Sequence, residues 1–376
     1  MKRLIPLALV FLTVSSFAAN VRIPSLELIT RGSLQGSSFA LDTRALMDLE
    51  FEGGSKFGGT VRFGFDSEDL DASIQLPEQY DAAAIEAAIN RSLQFQLASV
   101  TVRDMLGLPL DLTYFSGQLE QFTSGSTFPA VFGSVPFATS YRGYVYFPEG
   151  TRYDGVYDVA GTGLRLATSE TISSWSLQLY GYQDQYLGTA SYSSDLRFLL
   201  NTELLKLDAF GGASFPGGPY GSYRGGVMLY YNTGLAGQFF AQIGVPRWTP
   251  GVDEDLNIEH FYFLFEPRVL VGITNLSLTL FWHPLYYQQQ ETGETGSLDI
   301  NLRISIGDPF VQLVTGGAEV VALLQPNASQ QFLVRAAPFL SVNSDGVIWD
   351  LKVNFNAFPF SLGNLFEAFV GIRTQL

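Results

Sequence analysis

No cysteine occurs in the 376 residues, so the chain has no disulfide framework, no thiolate chemistry and no site for a cysteine-linked lipid. Histidine is nearly as scarce. His260 and His283 are the only two, which leaves an imidazole-built transition-metal site poorly supplied. Bases are also few, 21 Lys and Arg against 36 Asp and Glu, and this excess of acid argues against nucleic acid as a partner. No apolar run approaches the roughly 18–20 residues of a membrane helix, so if the chain crosses a bilayer it does so with strands.

The first segment is of another kind. Lys2 and Arg3 precede an apolar run from Leu4 to Val14, followed by Ser16-Phe17-Ala18, which reads as a secretory signal peptide over 1–18 cleaved after Ala18. Removing Lys2 and Arg3 leaves 19 bases against 36 acids, a mature net charge of −17. No linker interrupts 19–376, which reads as a single domain.

Within that domain the decisive signal is a period of two. Ser297 to Ile306 places Leu298, Ile300, Leu302, Ile304 and Ile306 on one face and Ser297, Asp299, Asn301, Arg303 and Ser305 on the other. One face suits hydrocarbon and the other suits water. Val347 to Ala357 repeats the division, with Trp349, Leu351, Val353 and Phe355 opposed to Asp350, Lys352, Asn354 and Asn356. Strands of this kind satisfy their backbone groups in a bilayer only when the sheet closes on itself.

An exported, helix-poor, cysteine-free chain with 14% aromatic residues resembles the bacterial outer-membrane β-barrels, in particular the porin-like ones. The resemblance implies an all-β, transmembrane, antiparallel up-and-down barrel in the outer membrane. It also implies outer-membrane lipid, the barrel-assembly machinery and small solutes as partners, no cofactor, and the possibility of oligomers. The last strand, with Phe366, Ala368, Val370, Ile372 and Leu376 on one face, resembles the terminal strand that the assembly machinery reads. It departs from that pattern in ending on Leu376 where such signals usually end on Phe.

Counting strands from the N-terminus gives about 18, with 16 as the alternative because 257–273 and 309–324 are long enough to be misdivided. An even number returns both termini to the periplasm. Connections alternate between short turns and longer loops, and two long external loops stand out, 66–90 and 121–157. The first contains a short helix predicted near 81–89, with Asp81 as its N-cap and Ile85 and Ile89 packing it on the rim. A phase slip at Ala98-Ser99 predicts a bulge or an early turn. Aromatics near the long loops, among them Tyr182, Tyr186, Tyr192, Tyr220, Tyr223, Trp248, Trp282, Tyr286, Tyr287, Phe358 and Phe360, read as an interfacial girdle.

With the apolar faces turned to lipid, eleven acids and ten bases point inward, a nearly neutral but highly charged lumen. Pore-lining candidates are Arg44, Arg62, Asp299, Arg303, Arg335, Asp350, Lys352, Glu367 and Arg373. A wet interior accommodates these charges more cheaply than burial does; the alternative is a barrel plugged by a closed ion-pair network. Segment 121–157 falls where general porins fold a loop into the channel, and Arg142, Glu149, Arg152 and Asp154 are candidates for such a constriction, an aromatic-rich external cap being the other reading. The acidic run from Asp66 lacks the glycine and terminal glutamate of an EF-hand, so it reads as a solvated rim and no metal site is assigned. His260 and His283 have no nucleophile motif beside them and read as structural; the chain is expected not to be an enzyme. Three functions fit: a diffusion channel for small hydrophilic solutes, a transporter of hydrophobic compounds, and a closed barrel acting as adhesin or scaffold.

Overall fold

The computed structural model describes residues 19–374 except 36–37, 55, 68–92, 126, 133–154, 169–173, 188–190, 216–219, 254, 283, 285, 288–289, 292–297, 310, 326–331 and 361–364. The segment 1–18, the helix expected at 81–89 and the four constriction candidates Arg142, Glu149, Arg152 and Asp154 lie outside the described residues.

Eighteen antiparallel strands form one sheet. They are β1 (Ala19–Gln35), β2 (Ser38–Gly53), β3 (Phe57–Ser67), β4 (Leu93–Val102), β5 (Leu110–Phe122), β6 (Tyr157–Thr168), β7 (Trp175–Asp184), β8 (Tyr192–Asn201), β9 (Leu205–Phe215), β10 (Ser222–Asn232), β11 (Gly237–Trp248), β12 (Tyr262–Val271), β13 (Thr274–Trp282), β16 (Leu298–Ile306), β17 (Val314–Leu324), β18 (Phe332–Ser344), β19 (Val347–Phe358) and β20 (Phe366–Thr374). A two-residue hairpin, β14 (Tyr286–Tyr287) with β15 (Gln290–Glu291), stands apart from the wall. Each wall strand pairs with its neighbours in sequence. β1 also pairs with β20, from Leu26 opposite Thr374 to Ser33 opposite Glu367, so the ladder returns to its start as an up-and-down barrel.

The period of two sets which face goes where. In β7 burial alternates at every residue: Ser176, Gln178, Tyr180, Tyr182 and Asp184 point in, while Trp175, Leu177 and Leu179 point out. Leu302, Ile304 and Ile306 are likewise exposed on the outer face, Leu302 at 49%. Apolar side chains outside and polar ones inside is the inverse of a soluble core and suits a wall in hydrocarbon.

Several boundaries differ from the sequence reading, each for a local reason. Span 257–273 divides because Ile258–His260 forms a 3-10 turn capped by Asn257, and β12 starts only at Tyr262. The span expected from 309 starts as a turn, with the Val311 and Gln312 amides donating to the Asp308 carbonyl, and β17 begins at Val314. The expected bulge lies slightly earlier than 98–99: the β3–β4 register shifts between Arg62 and Phe63, leaving Gln96 as the extra residue. Gln96 then reaches past the bare Gly64 to donate to Asp48 Oδ1 at 3.3 Å. Tyr182 is not a girdle residue, since it shares the inward phase of Tyr180 and Asp184 and is buried. Tyr186, Tyr192, Tyr220, Tyr223, Phe358 and Phe360 are exposed near the long loops.

Candidate functional site

Two glycines turn part of the wall into the lumen. Gly117 on β5 and Gly161 on β6 are direct cross-strand partners, with φ of 109° and 155°. A Cβ on Gly117 would strike the Gln96 carbonyl, and one on Gly161 the Gln183 carbonyl, so both positions require glycine. Beyond this pair the strands leave their outer neighbours. β5 pairs with β4 only up to Gly117, and β6 pairs with β7 only from Gly161 onward. β5 and β6 still pair with each other out to Phe122 and Tyr157, across a bulge at Leu119, so a two-stranded hairpin detaches from the wall. Residues 155 to 160, all buried, belong to it.

After Phe122 the chain runs down the inner surface of β8 to β11. The Thr123 amide donates to Asp208 Oδ2 at 2.8 Å, and the Gln242 side-chain amide donates to the Thr123 carbonyl. A short helix, α1 (Phe128–Phe132), follows. Phe128 packs 4.6 Å from Phe132 and 5.6 Å from Tyr230, centroid to centroid, and Asn201 Nδ2 donates to the Phe132 carbonyl at 3.4 Å. Lys206 Nζ lies 5.8 Å from the Phe132 ring centre. Asn201 and Lys206 flank the tight 202–204 turn, so the segment reaches the short-turn end of the barrel.

Two charged clusters fasten this insert. Glu120 meets Arg165 and Arg197, with Arg197 Nη1 at 2.6 Å, and Tyr180 donates to Glu120 Oε2 at 2.7 Å. Arg197, only 2% exposed, also grips Asp208 with both arms, Nε to Oδ1 at 3.0 Å and Nη2 to Oδ2 at 2.8 Å. Such a bidentate fork is the favourable geometry for a buried pair. In the second cluster Tyr157 donates to Asp184 at 3.1 Å beneath the Arg224 guanidinium, which sits 4.0 Å from the ring centre. Arg224 makes a second fork to Asp195, Nε and Nη2 each at 2.7 Å, while Tyr182 donates to Asp195 at 2.9 Å. Between the clusters Phe122 fills the gap against Phe210 at 4.9 Å and Tyr180 at 5.2 Å.

The insert therefore covers one side of the interior. On β2 and β3 the inward pair Arg62 and Glu50, 3.6 Å apart, keeps side-chain exposures of 32% and 18%. Arg303, Arg335, Asp350 and Glu367 are also partly exposed. Arg303 lies 4.5 Å over the Phe339 ring, and Arg335 Nε donates to Asn356 Oδ1 at 3.1 Å. Asp299 and Lys352 point inward but are buried, Lys352 against Glu319. Side chains of Arg44 and Arg373 lie outside the described residues. His260 is buried in the cap of its own 3-10 turn, its Nδ1 3.0 Å from Asn257 Oδ1, and His283 is outside the described residues. Among the described residues no group of three or more His, Cys, Asp or Glu side chains could hold a metal.

Sequence reasoning missed Glu120, Asp158, Arg224, Arg268 and Glu319 as inward charges. Glu120 follows the Leu119 bulge, which shifts its phase, and Asp158 falls just past the 121–157 span read as loop, ahead of any expected strand. The available signal was Gly117 and Gly161, each inside an otherwise alternating run, where an isolated glycine marks a bulge or close approach.

Barrel, polar interior and inward hairpin together define an outer-membrane-type β-barrel with a porin-like fold. Wzi of Escherichia coli, described as an outer-membrane protein involved in group 1 capsule assembly and a carbohydrate-binding β-barrel, matches with TM-score 0.50 and 14% identity over 98% of this chain and 87% of that one. OccAB3 of Acinetobacter baumannii gives 0.51 and 10% over 95% and 98%, and OpdK of Pseudomonas aeruginosa, solved with vanillate, gives 0.51 and 10% over 96% and 98%. At these identities the likeness is one of fold. No protein-family model matches the chain, and no curated protein does.

Proposed function

We propose that this protein is an outer-membrane channel for passive diffusion of small hydrophilic solutes, narrowed by the β5–β6 insert. The observation that carries the reading is that the interior is filled unevenly. Inward residues beneath the insert, such as Phe115, Tyr180 and Arg197, are buried, whereas Arg62 at 32% and Glu50 at 18% stay open to a lumen. Charged side chains left partly exposed inside a barrel indicate water there, because burying them dry costs several kcal/mol each, to order of magnitude. The described open wall carries Asp48, Glu50, Asp350 and Glu367 against Arg62, Arg303 and Arg335, a mixed lining with a slight acidic surplus and hence a weak cation preference.

The test is swelling of liposomes holding the purified barrel, in a graded series of neutral sugars. Uptake of the smallest and exclusion of larger ones supports a narrowed channel. No uptake of any sugar by folded protein contradicts it. A second reading, a closed barrel serving as adhesin or scaffold, is favoured by the buried clusters around Glu120 and Arg224; carbohydrate binding, the property stated for Wzi, would fit such a barrel. It predicts no uptake together with retention on a polysaccharide column.

A further inference from the structure

The short-turn end of the barrel carries aliphatic tips where turns are ordinarily polar. Leu235 in the β10–β11 turn is 88% exposed, Val311 in the β16–β17 turn 79% and Ile273 in the β12–β13 turn 61%, and Leu204 in the β8–β9 turn and Leu313 are exposed as well. These four turns follow one another along the rim. The Asn232 amide donates to the Leu204 carbonyl at 2.8 Å, the Leu270 amide to the Ala236 carbonyl at 2.7 Å and the Gly307 amide to the Ile273 carbonyl at 2.8 Å, so the turns join in one arc. Among residues 202–204, 233–236, 272–273 and 307–313 only Glu203 and Asp308 are charged. An apolar arc of this length left in water would oppose the hydrophobic effect, and water-soluble surfaces rarely keep one uncovered.

The arc runs on from the lipid-facing wall. Toward the turn, Val269, Val271 and Ile273 are exposed at intervals of two, and beyond Leu313 the exposed Val314 opens the outer face of β17. The height of the wall points the same way. β13 and β16 have nine residues each, and at about 3.4 Å per residue with a tilt of about 40° they rise about 23 Å, just short of the apolar band of about 25 Å that such barrels present. On this side the turns complete the band. Elsewhere on the same rim the exposed tips are polar, Lys56 between β2 and β3 and Asp345 between β18 and β19. Leu106 between β4 and β5 is also exposed, but the β6–β7 connection separates it from the arc.

We propose that the arc from Leu204 to Leu313 is a membrane-contact surface, seated at the boundary of headgroups and acyl chains in the inner leaflet of the outer membrane, while the Lys56 and Asp345 turns stand in water. The partner is lipid rather than a periplasmic protein. The arc extends the very surface that lipid covers, and strands of nine residues leave the apolar band incomplete without it.

Single cysteines, unambiguous because the chain has none of its own, place a nitroxide at Leu235, Ile273, Lys56 or Asp345 of the full-length barrel, with Leu302 as the reference on the outer wall. Each of these side chains is exposed, so the label fits without disturbing the ladder. The labelled protein is reconstituted into phosphatidylethanolamine–phosphatidylglycerol vesicles with two relaxants on both sides of the membrane, molecular oxygen, which concentrates in lipid, and a water-soluble nickel chelate. Expected at Leu235 and Ile273 is an oxygen-to-nickel collision ratio shifted toward that of Leu302, and at Lys56 and Asp345 a ratio dominated by nickel. Nickel-dominated ratios at Leu235 and Ile273 would overturn the assignment and leave the arc to a soluble partner. Equal ratios at the arc and at the polar turns would overturn it too. No current is read, so the result stands apart from whether the barrel conducts.

Discussion

Replacing Arg197 by methionine isolates what holds the insert in place. The guanidinium is 2% exposed and reaches both Glu120 on the hairpin and Asp208 on the wall. Its loss leaves Asp208, which is fully buried, with only the Thr123 amide as a donor, while Glu120 retains Arg165 and Tyr180. Removing one partner of a buried pair costs about 3–5 kcal/mol, because the other charge stays buried and uncompensated. The relief open to the molecule is local. If the hairpin swings out about the Gly117–Gly161 pair, Asp208 regains water while the wall ladder is kept. A cost of about 3–5 kcal/mol lowers the docked-to-undocked ratio by roughly two to three and a half powers of ten. Single-channel currents should show larger or noisier open states in Arg197→Met, and amides from Glu120 to Ser124 should exchange faster than those of β16. Arg197→Met/Asp208→Asn, which removes the stranded charge but keeps an acceptor for Thr123, should recover most of the docking. A single variant with unchanged conductance and exchange, or a double variant as loose as the single, would refute the role given to this cluster.

Gly117→Val places a branched side chain at φ 109° against the Gln96 carbonyl, so it should weaken the inward bend and lower the thermal midpoint, whereas Gly181→Val, with open space at its Cβ, should be neutral by the same measurement. Leu302→Arg, on the outer face, should cost about 2–4 kcal/mol in equilibrium unfolding if the site lies near the bilayer midplane, while Asp350→Asn on the inner face should cost far less; equal damage at both would deny the lipid-facing phase. Because the chain lacks cysteine, single cysteines at Asp255 and Asp345 report sidedness, and an impermeant thiol reagent on intact cells should label the first and spare the second.

The wall was legible because the bilayer imposes a strict rule on it. Every second residue must suit hydrocarbon, so Ser297 to Ile306 and Val347 to Ala357 declare strand and phase at once, and each of the eighteen strands overlaps a span the alternation marks. The insert was not legible for the converse reason. Residues 118 to 132 and 155 to 160 face protein on several sides, so their pattern has no single period, and a glycine at a kink looks the same in sequence as a glycine in a loop. The charges that fasten the insert were hidden by the same events, Glu120 by the Leu119 bulge and Arg224 by its place near a strand end. The Arg197–Asp208 pairing joins strands already recognised, but only the register, with Leu199 opposite Asp208, brings the two within reach.

The most direct measurement is the current through a planar bilayer after addition of the purified, folded protein. A lumen narrowed by the insert and still wetted along part of its wall predicts discrete conductance steps of uniform size with weak cation preference. A silent membrane, with incorporation of folded barrels demonstrated in the same preparation, would contradict an open path and leave the insert as a plug.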